Sequence, residues 1–167
     1  MMKQRVVLGL FILLSAGIFS CSSPDSTKFS SAAAQGGLTE VELGRLAVQR
    51  GSNPAVKSFG QQMIEDHSRA NSELKTIATR KNIALPTDLN SDQKATMDKL
   101  SKLSGSEFDK EYMSDMVKDH EADAKEFESQ ANKGTDADIK AFAAKTLPMI
   151  QRHLQLARDV ANQVGAK

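Results

Sequence analysis

Apolar residues recur along this chain at helical spacing, and no run of alternating β-branched and polar positions interrupts them. The spacing predicts five helices separated by clear turn signals. The first covers about residues 30–50, with Gly36-Gly37 weakening its start so that it is firm from Thr39. Gly51-Ser52-Asn53-Pro54 breaks it, and Asn53 and Pro54 suit the cap and first turn of a second helix. That helix runs to about Lys81, where Asn82 suits a left-handed end. A connector holding Pro86 leads to a short helix over 91–103, which stops at Ser104-Gly105. A fourth helix covers 106–133 and halts at Gly134. Thr135 is read as the cap of a fifth, reaching about Val164, in which Pro148 predicts a kink before Met149.

Four long helices and one short one give an all-α fold. The first two are joined tightly, as are the last two, and the roughly 20-residue link between the pairs is long enough to span a bundle. Two hairpins with a long crossover predict a ferritin-like four-helix bundle with a short extra helix in the crossover.

The apolar stripes show which faces turn inward. In the second helix the stripe is Val56, Gly60, Met63, His67, Ala70, Leu74, Ile77. In the fourth it is Met113, Met116, His120, Asp123, Phe127, and in the fifth Ile139, Phe142, Thr146, Met149, His153, Leu156, Val160. All 3 histidines lie on these stripes, each with a methionine four residues before it, in MIEDH, MVKDH and MIQRH. Phe59, Met63, Asp66 and His67 map onto Tyr112, Met116, Asp119 and His120, the pattern a duplication leaves.

The N-terminus carries a different signal. Lys3 and Arg5 precede an apolar run of about 14 residues, short for a membrane span and suited to a secretory signal. It ends in Ile18-Phe19-Ser20-Cys21, which resembles the lipobox of bacterial lipoproteins. The chain has 1 cysteine, so Cys21 has no disulfide partner within it and is read as the lipidated residue. The expected domains are a signal peptide over 1–20, a lipidated tether over 21–29 and a bundle over 30–165. By the same resemblance Ser22 favours the outer membrane, facing the periplasm. Loss of Lys3 and Arg5 with the signal takes the formal net charge from +1 to −1. That balance excludes a nucleic-acid partner, which wants a strongly basic face. The lipid-anchored membrane is the partner implied, and protein partners are not specified.

The segments EVELGRLAVQRGSNPAVKSFGQQMIEDHSRAN, SGSEFDKEYMSDMVKDHEAD and IKAFAAKTLPMIQRHLQLA resemble the domain of unknown function 4142 family, ferritin-like bacterial envelope proteins, over residues 29–163. The resemblance implies the fold and the envelope location and brings no activity with it.

The candidate chemistry is a metal site. Residues four apart share a helix face, so Met63 with His67 and Met116 with His120 can aim at one spot. Imidazole suits Cu, Zn or Fe, and thioether favours Cu. His67 and His120 lie 14 residues after Asn53 and Ser106 and are expected in one layer, whereas the count across Gly134 sets His153 five residues off, about 7 Å of rise. Glu42, placed between Leu38 and Leu46, and Asp123, one turn after His120, are further candidate ligands. Glu42 is equally read as the acid of a Thr39-x-x-Glu42 capping box. Asp66 and Asp119 point about 100° away from their neighbouring histidines and are read as surface or helix-pairing residues. The Glu-x-x-His of di-iron bundles is absent, and no nucleophile–base pair or phosphate loop is present, so no catalytic residue is assigned. Three readings stay open. The first is a structural or stress-related envelope protein whose polar core sets helix register. The second is a metal-binding or metal-buffering module, and the third a metal-dependent redox enzyme.

Overall fold

A computed structural model describes residues 24–166. The signal peptide, Cys21 and the start of the tether lie outside the described residues. The described chain forms five helices, α1 Pro24–Arg50, α2 Pro54–Arg80, α3 Ser91–Ser101, α4 Gly105–Lys133 and α5 Ala137–Val164, and no strand is found among these residues. None of these helices is long and apolar enough to cross a membrane.

Side-chain pairs give the directions of the helices. Phe59 meets Tyr112 and His67 meets His120, so α2 and α4 run parallel. His67 meets His153 and Glu73 meets Lys145, so α2 and α5 are antiparallel neighbours. Phe29 meets Phe127 and Glu40 meets His120, which sets α1 antiparallel to α4. Each hairpin therefore packs beside the other, with α2 and α4 on one diagonal, as the long crossover requires.

Capping chemistry fixes most of the ends. Asn53 accepts from the Ala55 N–H at 2.8 Å, and Asn82 takes a left-handed φ of 55° after α2. Asn90 and Gln93 form a capping box on α3. The cap of α5 is Asp136, not Thr135: its carboxylate accepts from the N–H groups of Asp138 and Ile139. α5 continues through Pro148 without interruption. The buried Asp109 carboxylate accepts from the Ser52 and Asn53 N–H groups and the Ser52 hydroxyl, tying the α1–α2 turn to α4.

α1 differs most from the sequence expectation. It begins at Pro24, and Phe29 is buried against Phe127, so the segment expected as tether is helical from residue 24. Gly36-Gly37 leaves no break. The reason is tertiary packing, which overrides propensity. A Cβ on Gly44 would lie 2.6 Å from the Gly60 carbonyl oxygen, and one on Gly60 would lie 2.8 Å from the Ala47 Cβ, so glycines are where α1 and α2 touch backbone to backbone.

The core is two apolar clusters. Leu43, Phe59, Met63, Leu100, Phe108, Tyr112, Met113 and Met116 belong to one, and Phe29, Leu74, Ile77, Phe127, Ile139, Phe142 and Ile150 to the other. On each long helix the step from one cluster to the other passes through a buried polar residue: Glu40, His67, His120 or His153.

Candidate metal centre

The polar layer is built from one side chain per long helix. His120 and His153 are 0% exposed and His67 5%. Their ring centroids form a near-equilateral triangle, 5.8 Å from His67 to His120, 5.4 Å from His67 to His153 and 5.6 Å from His120 to His153. One nitrogen from each ring lies within 4.8 Å of the other two.

Two rings are held by outer partners. His120 Nδ1 lies 2.9 Å from the Met116 carbonyl oxygen, which only accepts, so Nδ1 carries the hydrogen and Nε2 keeps its lone pair. His153 Nε2 lies 2.9 Å from Asp66 Oδ2, so here Nε2 donates and Nδ1 is bare. His67 Nε2, His120 Nε2 and His153 Nδ1 are all buried with no hydrogen-bond partner. A carbonyl or carboxylate fixing the far nitrogen so that the near one faces inward is the arrangement found behind metal-bound histidines. Burial, reinforced by the other two rings, holds His67 well below the usual imidazole range. Burial also lowers His120, and it lowers His153 against the pull of Asp66. The three rings are neutral at pH 7, the state in which imidazole binds metal.

His153 joins the layer, contrary to the level count. The α4–α5 turn is centred near residue 135, so His120 and His153 are offset by three residues, not five, or about 4.5 Å of rise. Side chains lean toward their own helix N-terminus. His153, farther from the turn, leans toward it, and His120, nearer, leans away, so the offset closes.

The acids are placed differently from the expectation. Glu42 is exposed and pairs with Arg45 at 3.5 Å. It forms no capping box either, because α1 runs straight through Thr39, whose hydroxyl donates to the Gln35 carbonyl. The buried acid of α1 is Glu40, 2% exposed, with Oε1 3.7 Å from His120 Nδ1 and Oε2 unpartnered. Burial, with Asp119 adding repulsion, pushes its carboxyl up to about 8. Asp123 stands beside it, pushed up to about 7 by burial and then by Glu40. Met63 and Met116 are fully buried one turn away in the apolar cluster with Phe59. Met116 serves the layer through its carbonyl, and three imidazoles supply the nitrogens that converge. Sequence reasoning missed Glu40 and the pairing of Asp66 with His153. Glu40 had a signal, since Gly37, Glu40, Gly44 and Ala47 form a stripe of small residues at three- and four-residue spacing.

The chain belongs to the family described as Domain of unknown function (DUF4142), which matches residues 20–160. Among solved structures it is similar to the crystal structure of a DUF305 fragment from Deinococcus radiodurans. The TM-score is 0.75 at 10% sequence identity, over 86% of this chain and 99% of that one. At that identity the likeness shows a shared fold and no more. No curated protein matches the chain.

Proposed function

We propose that this bundle binds one transition-metal ion through His67, His120 and His153, as a binding or buffering module and not as a catalyst. The observation that carries the reading is the set of three neutral imidazoles, each with a buried bare nitrogen aimed at its neighbours. A polar layer that served only helix register would use those nitrogens. Leaving a buried polar atom unpaired costs about 1–3 kcal/mol, and three of them grouped within 4.8 Å ask for a shared partner. The outer partners of His120 and His153 leave a lone pair on each, and His67 offers a third in its Nδ1–H tautomer, which makes that partner a cation.

The donor set narrows the metal. Ligand nitrogens about 2.0–2.1 Å from a tetrahedral ion sit about 3.4 Å apart, so the triangle contracts by rotamer adjustments on loading. Three neutral nitrogens suit Zn or Cu, whereas di-iron bundles rely on carboxylates with paired Glu-x-x-His. That mismatch argues against the redox-enzyme reading. In the same proposal residues 1–20 are a signal peptide, Cys21 carries the lipid, and the bundle faces the periplasm from the outer membrane, where it buffers metal in the envelope. The structural reading keeps one observation of its own, since the His153–Asp66 bond also locks α5 to α2.

Zinc titration of the full chain in detergent, followed by calorimetry, tests the proposal. The expected result is one equivalent bound at micromolar affinity or tighter, weakened by at least about tenfold in His120→Ala and in His153→Ala. Absence of both zinc and copper binding at tens of micromolar, in a folded protein, overturns it and leaves the structural reading.

A further inference from the structure

A cleft opens between α1, α3 and α4. Its lining includes Glu40, Asp92, Asp119 and Asp123, with no lysine or arginine. We propose that this cleft is a second cation site, taking a hydrated divalent ion of the magnesium or manganese class that Glu40, Asp119 and Asp123 hold through its water shell.

Acidic residues on a surface are commonplace, and their clustering alone says nothing. Glu40 is different. It is 2% exposed, it lines the cleft, and its Oε2 is sealed from solvent with no hydrogen-bond partner, so a turn of its carboxyl is what would present it to an ion there. A buried carboxyl oxygen with nothing to bind is a cost unless something enters beside it. The cleft encloses about 250 Å³. At roughly 30 Å³ per water that is room for about eight waters, enough for an ion with a six-water shell. The carboxylates do not close to direct-ligation spacing, which among the described residues only the three histidines reach. An ion here therefore keeps most of its water, as small hard divalent cations do. Oxygen donors also separate this site chemically from the nitrogen triad, which prefers softer metals.

The two sites are neighbours. Gly36 and Asp123 line both the cleft and a narrow second cavity of about 20 Å³ whose walls include His67 and Thr146. The cleft thus shares two wall residues with the small, mostly apolar cavity beside His67. α3 lends Asp92, Gln93 and Thr96 to its rim, and three hydrogen bonds secure that rim: Gln35 Nε2 donates to the Asp88 carbonyl at 2.9 Å and to Gln93 Oε1, and Gln93 Nε2 donates to the Gln35 carbonyl at 3.2 Å. That gives the crossover helix a role beyond spanning the bundle.

The second site does not depend on the three-histidine reading, and manganese separates the two. Mn²⁺ is titrated into the full chain in detergent and followed by electron paramagnetic resonance, with circular dichroism confirming that each variant folds. The wild type is expected to bind one ion with Kd on the order of 0.1–1 mM. Glu40→Gln with Asp123→Asn, which keeps the side-chain shapes, is expected to weaken binding by at least about tenfold. His67→Ala with His153→Ala is expected to leave Mn²⁺ binding within about threefold. No binding to the wild type below about 1 mM, an unchanged affinity in the carboxyl variant, or loss in the histidine variant each overturns the second site. Zinc binding by the carboxyl variant reports separately on the histidines.

Discussion

Raising the pH from 7 to 9 should loosen the metal-free protein, and Glu40→Gln should remove most of that loss. The Glu40 carboxyl titrates at about 8 in the folded chain against an ordinary 4.5. Its folded value is raised, so between these two values the folded state holds the extra proton and stability falls as pH rises. The slope fades above pH 8, which makes the loss from pH 7 to 9 on the order of 1–2 kcal/mol. Asp123, at about 7, is half titrated at the start and adds only a fraction of that. The histidines offset that share. Their folded values are lowered, so at pH 7 the unfolded chain still carries part of a proton on each, and losing it by about pH 8 favours the folded state by a fraction of a kcal/mol in all. For a chain of this size the total corresponds to a Tm drop of about 4–7 °C. Urea melts at pH 7, 8 and 9 with a chelator present measure it. The glutamine variant should keep nearly the same shape and lose only the small Asp123 share. Parallel loss in the two proteins would refute the burial argument for Glu40.

Two further outcomes follow from the packing. Asp66→Asn should weaken zinc binding about 10- to 100-fold in calorimetric titration, because the amide no longer fixes the His153 tautomer; an unchanged affinity would show that His153 needs no such hold. Gly44→Ala should destabilise the bundle by about 1–3 kcal/mol in urea melts even though alanine favours helix by about 1 kcal/mol, because the new methyl meets the Gly60 carbonyl; a more stable variant would mean α1 can slide outward.

The inward faces of α2 and α4 were legible because large apolar residues mark them. Val56, Phe59, Met63, Leu74 and Ile77 of α2 are buried, and a 3.6-residue count places His67 among them. The same count failed on α1. Leu38, Glu42 and Leu46 line up, yet Leu38 is only half-buried and lines an apolar cleft with Ile83, Leu85 and Pro86. It is covered by the crossover, not by the bundle, and a stripe drawn through it lands on Glu42. The true inward face carries Gly37, Glu40, Leu43, Gly44 and Ala47, and apart from Leu43 its residues are small or acidic, fitted to close approach to α2 and so faint in hydropathy. Asp66 was unreadable for a different reason. It lies off the His67 face, and only the position of α5 turns that direction into a contact.

The repeated pentapeptides gain a sharper meaning from this geometry. α2 and α4 run parallel on one diagonal, so the equivalence of MIEDH with MVKDH extends to what each helix faces. Beyond Asp66 lies α5, which offers His153, and the pair forms a hydrogen bond. Beyond Asp119 lies α1, which offers Glu40, and here acid faces acid. One local motif therefore yields two outcomes, decided by the neighbouring helix. On one side a carboxylate steadies an imidazole and sharpens a nitrogen ligand. On the other a second carboxyl is left protonated and unpartnered, raised first by burial and then by Asp119, and a cation would relieve the second of these. The asymmetry of the layer, three imidazoles and one acid in place of two matched pairs, is thus a consequence of which residue the outer helices present.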